Sequence, residues 1–330
     1  MNEKNKRHIL ATIVVDGSAS LLPYTFDPSA LGDGALPSPW SGATWTIASG
    51  KVINTPNEGP PLSFNGDMEA GDPPTGWTPA NATAAADADV HGGSQSIKVT
   101  STSAAGYVTR NISLTAYKWY KFGLWVKRTA GQIDFLITPG ASIAPTPYHL
   151  SPSSYTNYVG AILTSGASIT MALRGFDNGT VAYWDDITCT PLEWAEVINV
   201  IDFGVANVSV GGAGTIGSFS PAGVVVNCNS KTAPTHMVFA VHIGSRNYIY
   251  MFKMINGTCT QLIGAASTYV SGVIPKIVKT SASVYQLWYN GLQIGTDQTV
   301  TDANLNNNTL HGLFSVGGGS QITSFFAVAA

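Results

Sequence analysis

Tyr117-Lys118-Trp119-Tyr120-Lys121-Phe122-Gly123-Leu124-Trp125-Val126-Lys127 is the stretch that decides the fold. From Tyr120 to Val126 every second residue is apolar, which is the period of a strand with one face in a core. Trp119 and Trp125 fall on the opposite face of that strand. The same alternation places Ile133, Phe135 and Ile137 on one face of 132–138, and Ile169, Met171 and Leu173 on one face of 168–174. It recurs at Met237, Phe239, Val241 and Ile243, and at Tyr248, Tyr250, Phe252 and Met254. Asn290-Gly291 between 284–289 and 292–295 is a hairpin signal, because a type I′ turn needs positive φ at both central positions. Helical periodicity is almost absent. Many short strands separated by turn residues predict an all-β chain of sandwiches or barrels.

The chain has 330 residues, enough for two ordinary domains. Only 11% are Asp, Glu, Lys or Arg, less than half the usual share, so the surface is predicted to be neutral and polar. A formal charge of −3 offers no clustered basic footprint for nucleic acid or for an anionic membrane, and neither partner is expected. No apolar run reaches the length of a membrane helix. Residues 9–15 follow Lys4, Lys6 and Arg7 in the manner of a short signal peptide, but Asp16 comes next with no convincing A-x-A site, so an uncleaved N-terminus is expected. Cys189, Cys228 and Cys259 lack metal-ligand spacing and are read as small buried hydrophobes, with a Cys228 to Cys259 disulfide as the alternative.

Proline punctuation at 56–61 and 73–74, with a quieter break near Pro191, brackets about 130 residues, the size of one sandwich. That segment carries Asn65-Gly66-Asp67-Met68-Glu69, then Gly92-Gly93-Ser94-Gln95-Ser96-Ile97-Lys98-Val99, then the stretch quoted first, and closes on Tyr183-Trp184-Asp185-Asp186-Ile187. The order resembles jelly-roll carbohydrate-binding modules of the family 4/9/22 type. Leu36-Pro37-Ser38-Pro39-Trp40 and 44–52 resemble the opening of a laminin-G or concanavalin-like sandwich. Such a domain would resume after Ala195 and close on Gly312-Leu313-Phe314-Ser315 and Phe325-Phe326-Ala327-Val328. The expected architecture is therefore an N-terminal arm (1–28), a discontinuous concanavalin-like sandwich (29–61 and 193–330) and an inserted jelly roll (62–192).

The resemblance implies a structural calcium ion held near the first and last strands of the insert, at Asp67, Glu69, Asp185 and Asp186. A hard cation wanting six to eight oxygens suits such a carboxylate set. The plain alternative is that these residues make a turn and cap a strand end. Sugar recognition would need exposed rings that stack on pyranose faces. Trp77, Trp119, Tyr148, Tyr155 and Tyr158 are the candidates; each Trp is read first as core, whereas the three tyrosines sit in a Pro/Ser/Asn-rich stretch. Catalysis finds little support, since the two carboxylate clusters are better explained as strand-end or ion-site groups than as a pair across a cleft, and E-x-D-x-x-E, H-E-x-x-H and G-x-S-x-G are missing. The runs Gly211-Gly212-Ala213-Gly214 and Gly317-Gly318-Gly319 lack a following helix and are read as loops, as is the Asn-rich stretch 302–309.

Taken together, these features lead to the expectation of a non-catalytic virion structural protein of a tailed phage, a capsid decoration or tail-fibre component displaying a glycan-binding-type sandwich. Its partners would be other virion proteins, further copies of itself in a symmetric homo-oligomer, and cell-surface polysaccharide. The apolar run 9–15 would dock the arm. The alternative is a secreted bacterial surface adhesin or carbohydrate-binding accessory protein.

Overall fold

The computed structural model describes residues 22–330 apart from 41–43, 139–140, 144–147, 218–219, 245–246 and 318; the side chains of 141–143 and 148–149 lie outside the described set. Strands hold 56% of the chain and helices 4%, so the all-β reading of the alternating stretches holds. Among the described residues the strands form four antiparallel sheets.

Sheet I has nine strands. Its path runs Gly34–Ala35, Trp45–Ala48, Lys51–Asn54, Gln321–Ala329, Val208–Thr215, Lys276–Lys279, Val284–Tyr289 and Leu292–Thr299, with Tyr24–Phe26 also paired to Gln321–Ala329. Sheet II has six: Ile198–Asp202, Leu310–Ser315, Ala222–Cys228, Met237–Ile243, Tyr248–Ile255 and Thr258–Ala266. Strands before residue 55 thus pair with strands after 207, as in Val52 opposite Ile322. Phe325, Trp45, Leu287, Val224 and Met251 fill one apolar core between sheets I and II. Of the arm expected over 1–28, residues 1–21, including the run 9–15, lie outside the described residues, and Tyr24–Phe26 is a strand of sheet I.

The intervening residues build the other two sheets. Sheet III runs Tyr148–Leu150, Ile133–Thr138, Ser168–Gly175, Gly106–Ser113 and Thr78–Ala80. Sheet IV runs Ala141–Ile143, Thr156–Thr164, Trp119–Ala130, Val181–Leu192, Ser96–Ser101 and Ala82–Asp87. Their facing residues, Tyr120, Phe122, Leu124 and Val126 against Ile133, Phe135, Ile169 and Leu173, form a second core, as the period-2 reading requires. Strand Val181–Leu192 runs through Pro191 and ends one residue later, and after Glu193 helix Trp194–Val197 leads straight into sheet II.

Sheet II is buried on both faces, for all seven residues of Ala222–Cys228 and of Met237–Ile243 are buried. Its second face joins Trp119, Ala161, Leu163 and Leu192 of sheet IV in a third apolar cluster. Trp119 lies with its ring centroid 5.2 Å from Phe314 and 6.2 Å from Trp194, and Trp194 is 5.4 Å from Phe239. The two sandwiches therefore share apolar packing.

Two loop readings are corrected. Gly211, Gly212 and Gly214 lie in strand Val208–Thr215, paired with Gln321–Ala329, because a Cβ at Gly212 would stand 2.2 Å from the Ser324 carbonyl oxygen. The stretch 302–309 holds helix Ala303–Asn306, N-capped by the Asp302 carboxylate on Leu305 N–H at 2.8 Å, and it buries Leu305 and Asn306. Cys189, Cys228 and Cys259 are free, buried thiols, so the disulfide alternative is not realised. At the hairpin, Asn290 and Gly291 take φ of 49° and 77°, as the turn chemistry demands.

Candidate functional site

The four expected metal ligands do not converge. Asp67 is exposed on its turn. Glu69 accepts hydrogen bonds from the main-chain N–H of Ser94 (2.8 Å) and Gln95 (3.1 Å) and from the Ser94 hydroxyl. Those bonds, the Ser94 hydroxyl first, hold its carboxyl below the usual range. Asp185 is fully buried and accepts from the N–H groups of His91 (2.8 Å), Gly92 (3.1 Å) and Asp186 (2.8 Å). Burial still pushes its pKa up. Asp186 meets His91 Nδ1 at 2.7 Å. Loop 91–95 is thus clamped by three carboxylates, and its glycines allow the approach: a Cβ at Gly93 would lie 2.0 Å from Glu69 Oε1.

That arrangement does not fit a calcium cage of Asp67, Glu69, Asp185 and Asp186. Asp67 takes no part, the Glu69 and Asp185 oxygens are engaged by N–H donors, and no three His, Cys, Asp or Glu among the described residues form a metal set. Asp67 sits on a turn, as the plain alternative has it, but Asp185 and Asp186 lie inside strand Val181–Leu192 and not at its end, and their carboxylates hold loop 91–95.

Among the expected sugar-contacting rings, Trp77 and Trp119 are corrected. Trp77 is only 4% exposed, packs in the core between sheets III and IV, and donates from Nε1 to Asn65 O at 3.1 Å. Trp119 is 0% exposed because sheet II covers it. Tyr148 lies in a strand of sheet III, but its side chain is outside the described residues. Tyr158 is half-buried against the core. Tyr155 is half-buried, and its hydroxyl donates to Asp89 O at 2.5 Å.

Tyr155 belongs to a ring cluster on the outer face of sheet IV, with Trp125, Tyr183 and His91. The faces of these rings are already used. His91 stacks on Trp125 with centroids 3.6 Å apart, Lys127 Nζ stands 5.9 Å from Tyr155, and Lys98 and Lys127 stand 5.4 and 5.5 Å from Tyr183. Both lysines are held in turn by Asp87 and Asp89. The cluster pins loop 87–95 to its sheet and leaves little ring face for a ligand.

The outer face of sheet III is different. Tyr107 is 36% exposed, and among the described residues no ring or cation covers it. Its strand sets Tyr107, Thr109 and Asn111 directly opposite Arg174, Ala172 and Thr170. Thr170 Oγ1 donates to Asn111 Oδ1 at 2.7 Å. Arg174 grips the buried carboxylate of Asp134, with Nε on Oδ1 at 2.8 Å and Nη2 on Oδ2, and its guanidinium lies 4.6 Å from the Phe176 ring. A fork fixed on both sides keeps its remaining N–H donors in one direction. The face therefore offers an open ring, an oriented guanidinium, an amide and hydroxyls. Sequence reasoning missed it because Tyr107 stands alone, in Gly106-Tyr107-Val108-Thr109, with no aromatic neighbour to mark it.

No family model matches the chain, and neither does any curated protein. Solved structures do align with it. The CBM22-1 xylan-binding domain of Paenibacillus barcinonensis Xyn10C is 16% identical, over 38% of this chain and 91% of that domain, with a TM-score of 0.33. A family 16 carbohydrate-binding module is 20% identical over 38% and 96%, also at 0.33. The CBM22-1–CBM22-2 tandem of the same Xyn10C is 11% identical over 83% and 98%, at 0.36. Scores this low carry no functional argument. The site stands on its own geometry.

Proposed function

We propose that the chain is a non-catalytic glycan-binding protein whose saccharide lies across the outer face of sheet III. The observation that carries this reading is the uncovered ring of Tyr107 beside the anchored Arg174 fork and the Asn111–Thr170 pair. A pyranose places its C–H face on an aromatic ring while amide, hydroxyl and guanidinium groups take its hydroxyls. The carboxylates of Glu69, Asp185 and Asp134 support a binding role over a hydrolytic one, because they serve as acceptors for backbone amides or as an ion-pair partner.

The finer reading is that the protein is displayed on a tailed-phage particle as a capsid decoration or tail-fibre component. The neutral, polar composition and the sandwich-in-sandwich organisation support it. Mass spectrometry of purified particles from the source would detect the chain; its recovery in a cell-wall or secreted fraction instead would favour the adhesin or accessory-protein alternative.

The binding reading is tested with the full chain on immobilised xylan, β-glucan, alginate and peptidoglycan fragments. Binding to at least one, weakened roughly tenfold by Tyr107→Ala at unchanged melting temperature, is expected, since one stacked ring contributes about 1 kcal/mol beyond its area. No binding to any of them, or binding indifferent to Tyr107→Ala, would sink it.

A further inference from the structure

The outer face of sheet I carries a second concave surface, far in sequence from Tyr107. Strands Val284–Tyr289 and Lys276–Lys279 alternate so that Trp288 and Lys276 face outward, directly opposite one another, while Tyr289, Leu287 and Ile277 point into the core. Phe326 faces outward from Gln321–Ala329, opposite Gly211. Continuing the pairing of Ser209 with Val278 and Val210 with Ile277 puts Gly211 beside Lys276. Phe326, Gly211, Lys276 and Trp288 thus form one row across four neighbouring strands, and the rings start about 14 Å apart by ordinary strand spacing.

Between the rings lies a groove of 460 Å³, lined by Gly212, Lys276, Trp288, Asn290 and Phe326 among others. Glycine at 211 lets the Phe326 ring lie over its neighbouring strand and form one wall. A Cβ on Gly211 would stand 2.7 Å from Phe326 Cζ and 3.2 Å from Lys276 Cβ, and one on Gly212 would strike the Ser324 carbonyl. The volume falls within the range of small-molecule sites.

The electrostatics favour an anion. Lys276 forms no ion pair among the described residues; its ammonium stands 5.8 Å from the Phe326 ring centroid. The carboxylate on the neighbouring edge strand, Asp297, accepts hydrogen bonds from the amides of both Gln286 (2.9 Å) and Gln293 (2.8 Å). Gln286 in turn accepts from Trp288 Nε1 at 3.0 Å, which fixes the indole. The groove therefore has an oriented ring wall at each side and one cation without a carboxylate partner.

We propose that this groove is a saccharide-binding site, separate from the sheet III face, for chains bearing carboxylate groups: Lys276 takes a uronate carboxylate while Trp288 or Phe326 packs against the sugar ring. It rests on its own residues and does not require the Tyr107 reading. Isothermal titration of the full chain with an oligogalacturonate, and with the same oligomer methyl-esterified, tests it. Binding of the acid form, at least tenfold weaker for the ester, is expected. Lys276→Gln and Trp288→Ala should each weaken it by about tenfold or more, Lys276→Arg should preserve it, and Tyr107→Ala should leave it unchanged. Equal binding of ester and acid, indifference to Lys276→Gln, or loss through Tyr107→Ala alone would overturn the proposal. The last of these outcomes would at the same time support the sheet III site. Failure of the acid form to bind at all would overturn it without touching the sheet III reading, whose own ligands are tested separately.

Discussion

His311 sits in sheet II with no solvent exposure and both ring nitrogens engaged. Nδ1 accepts from Asn227 N–H at 3.0 Å, so Nε2 carries the proton and donates to Val205 O at 2.9 Å. A second proton would have to enter against the Asn227 N–H. Burial, with the Lys279 ammonium adding to it, pushes the imidazole down to about 4 from 6.5. Between those values the unfolded chain binds more protons than the folded one, so stability rises with pH across that window. His311 should give full stability above about pH 6.5, lose roughly 3 kcal/mol on going down to about pH 4, and contribute no further slope below that. Urea denaturation across this range checks it; His311→Gln should flatten the profile, with the residual slope including the buried His242, whose pKa is also lowered. Around His311, Asn227 receives the Tyr285 hydroxyl at 3.0 Å and Asn306 receives it at 2.7 Å, while Lys279 donates to the Asn306 carbonyl at 2.5 Å. None of this was legible in the sequence. The partners are scattered from 205 to 311, and an Asn-rich stretch looks the same whether its amides meet water or a buried lysine.

At the scale of the element, alternation did its work wherever one face was apolar. The strands bearing Tyr120, Ile133, Ile169, Met237 and Tyr248 all formed with the expected faces inward or shared between two cores. It failed at Gly211-Gly212, since glycine has no side chain to alternate and the strand there is dictated by the close approach of a neighbouring backbone. It also could not tell a solvent-facing ring from one facing a second sheet, so Trp119 and Trp125, on one face of one strand, met different fates. The 91–95 loop carries a prediction of its own kind. Because Glu69 and Asp185 already receive N–H donors, the melting temperature should be the same in EDTA and in excess calcium, whereas Glu69→Ala should lower it by removing the acceptor for Ser94 and Gln95. A rise in melting temperature with calcium would show that an ion displaces those amides.

For the molecule as a whole, the decisive residue is Trp119. It lies where Phe314, Trp194 and Leu163 meet, so unfolding either sandwich exposes the same apolar cluster. The two should melt as one cooperative unit in calorimetry. Trp119→Ala, which removes a large buried side chain, is expected to cost about 3 to 5 kcal/mol and to split the transition in two. Two resolved transitions in the unsubstituted chain would contradict this. The docking was not legible in the sequence, because it depends on which faces of sheets II and IV meet.

Strand Val181–Leu192 passes into sheet II through one turn of helix, with no tether between. With the sheets stacked in the order I, II, IV, III, the outer faces of sheets I and III keep a set separation and point away from one another. A polysaccharide touching both would have to pass round the edge of the stack, and it would not experience the gradual length dependence of modules on a floppy linker. Below the length that spans the two faces it would gain nothing from the second contact, and above it the second contact would form at high effective concentration. Chain length, more than sugar identity, would then decide which polymers are retained.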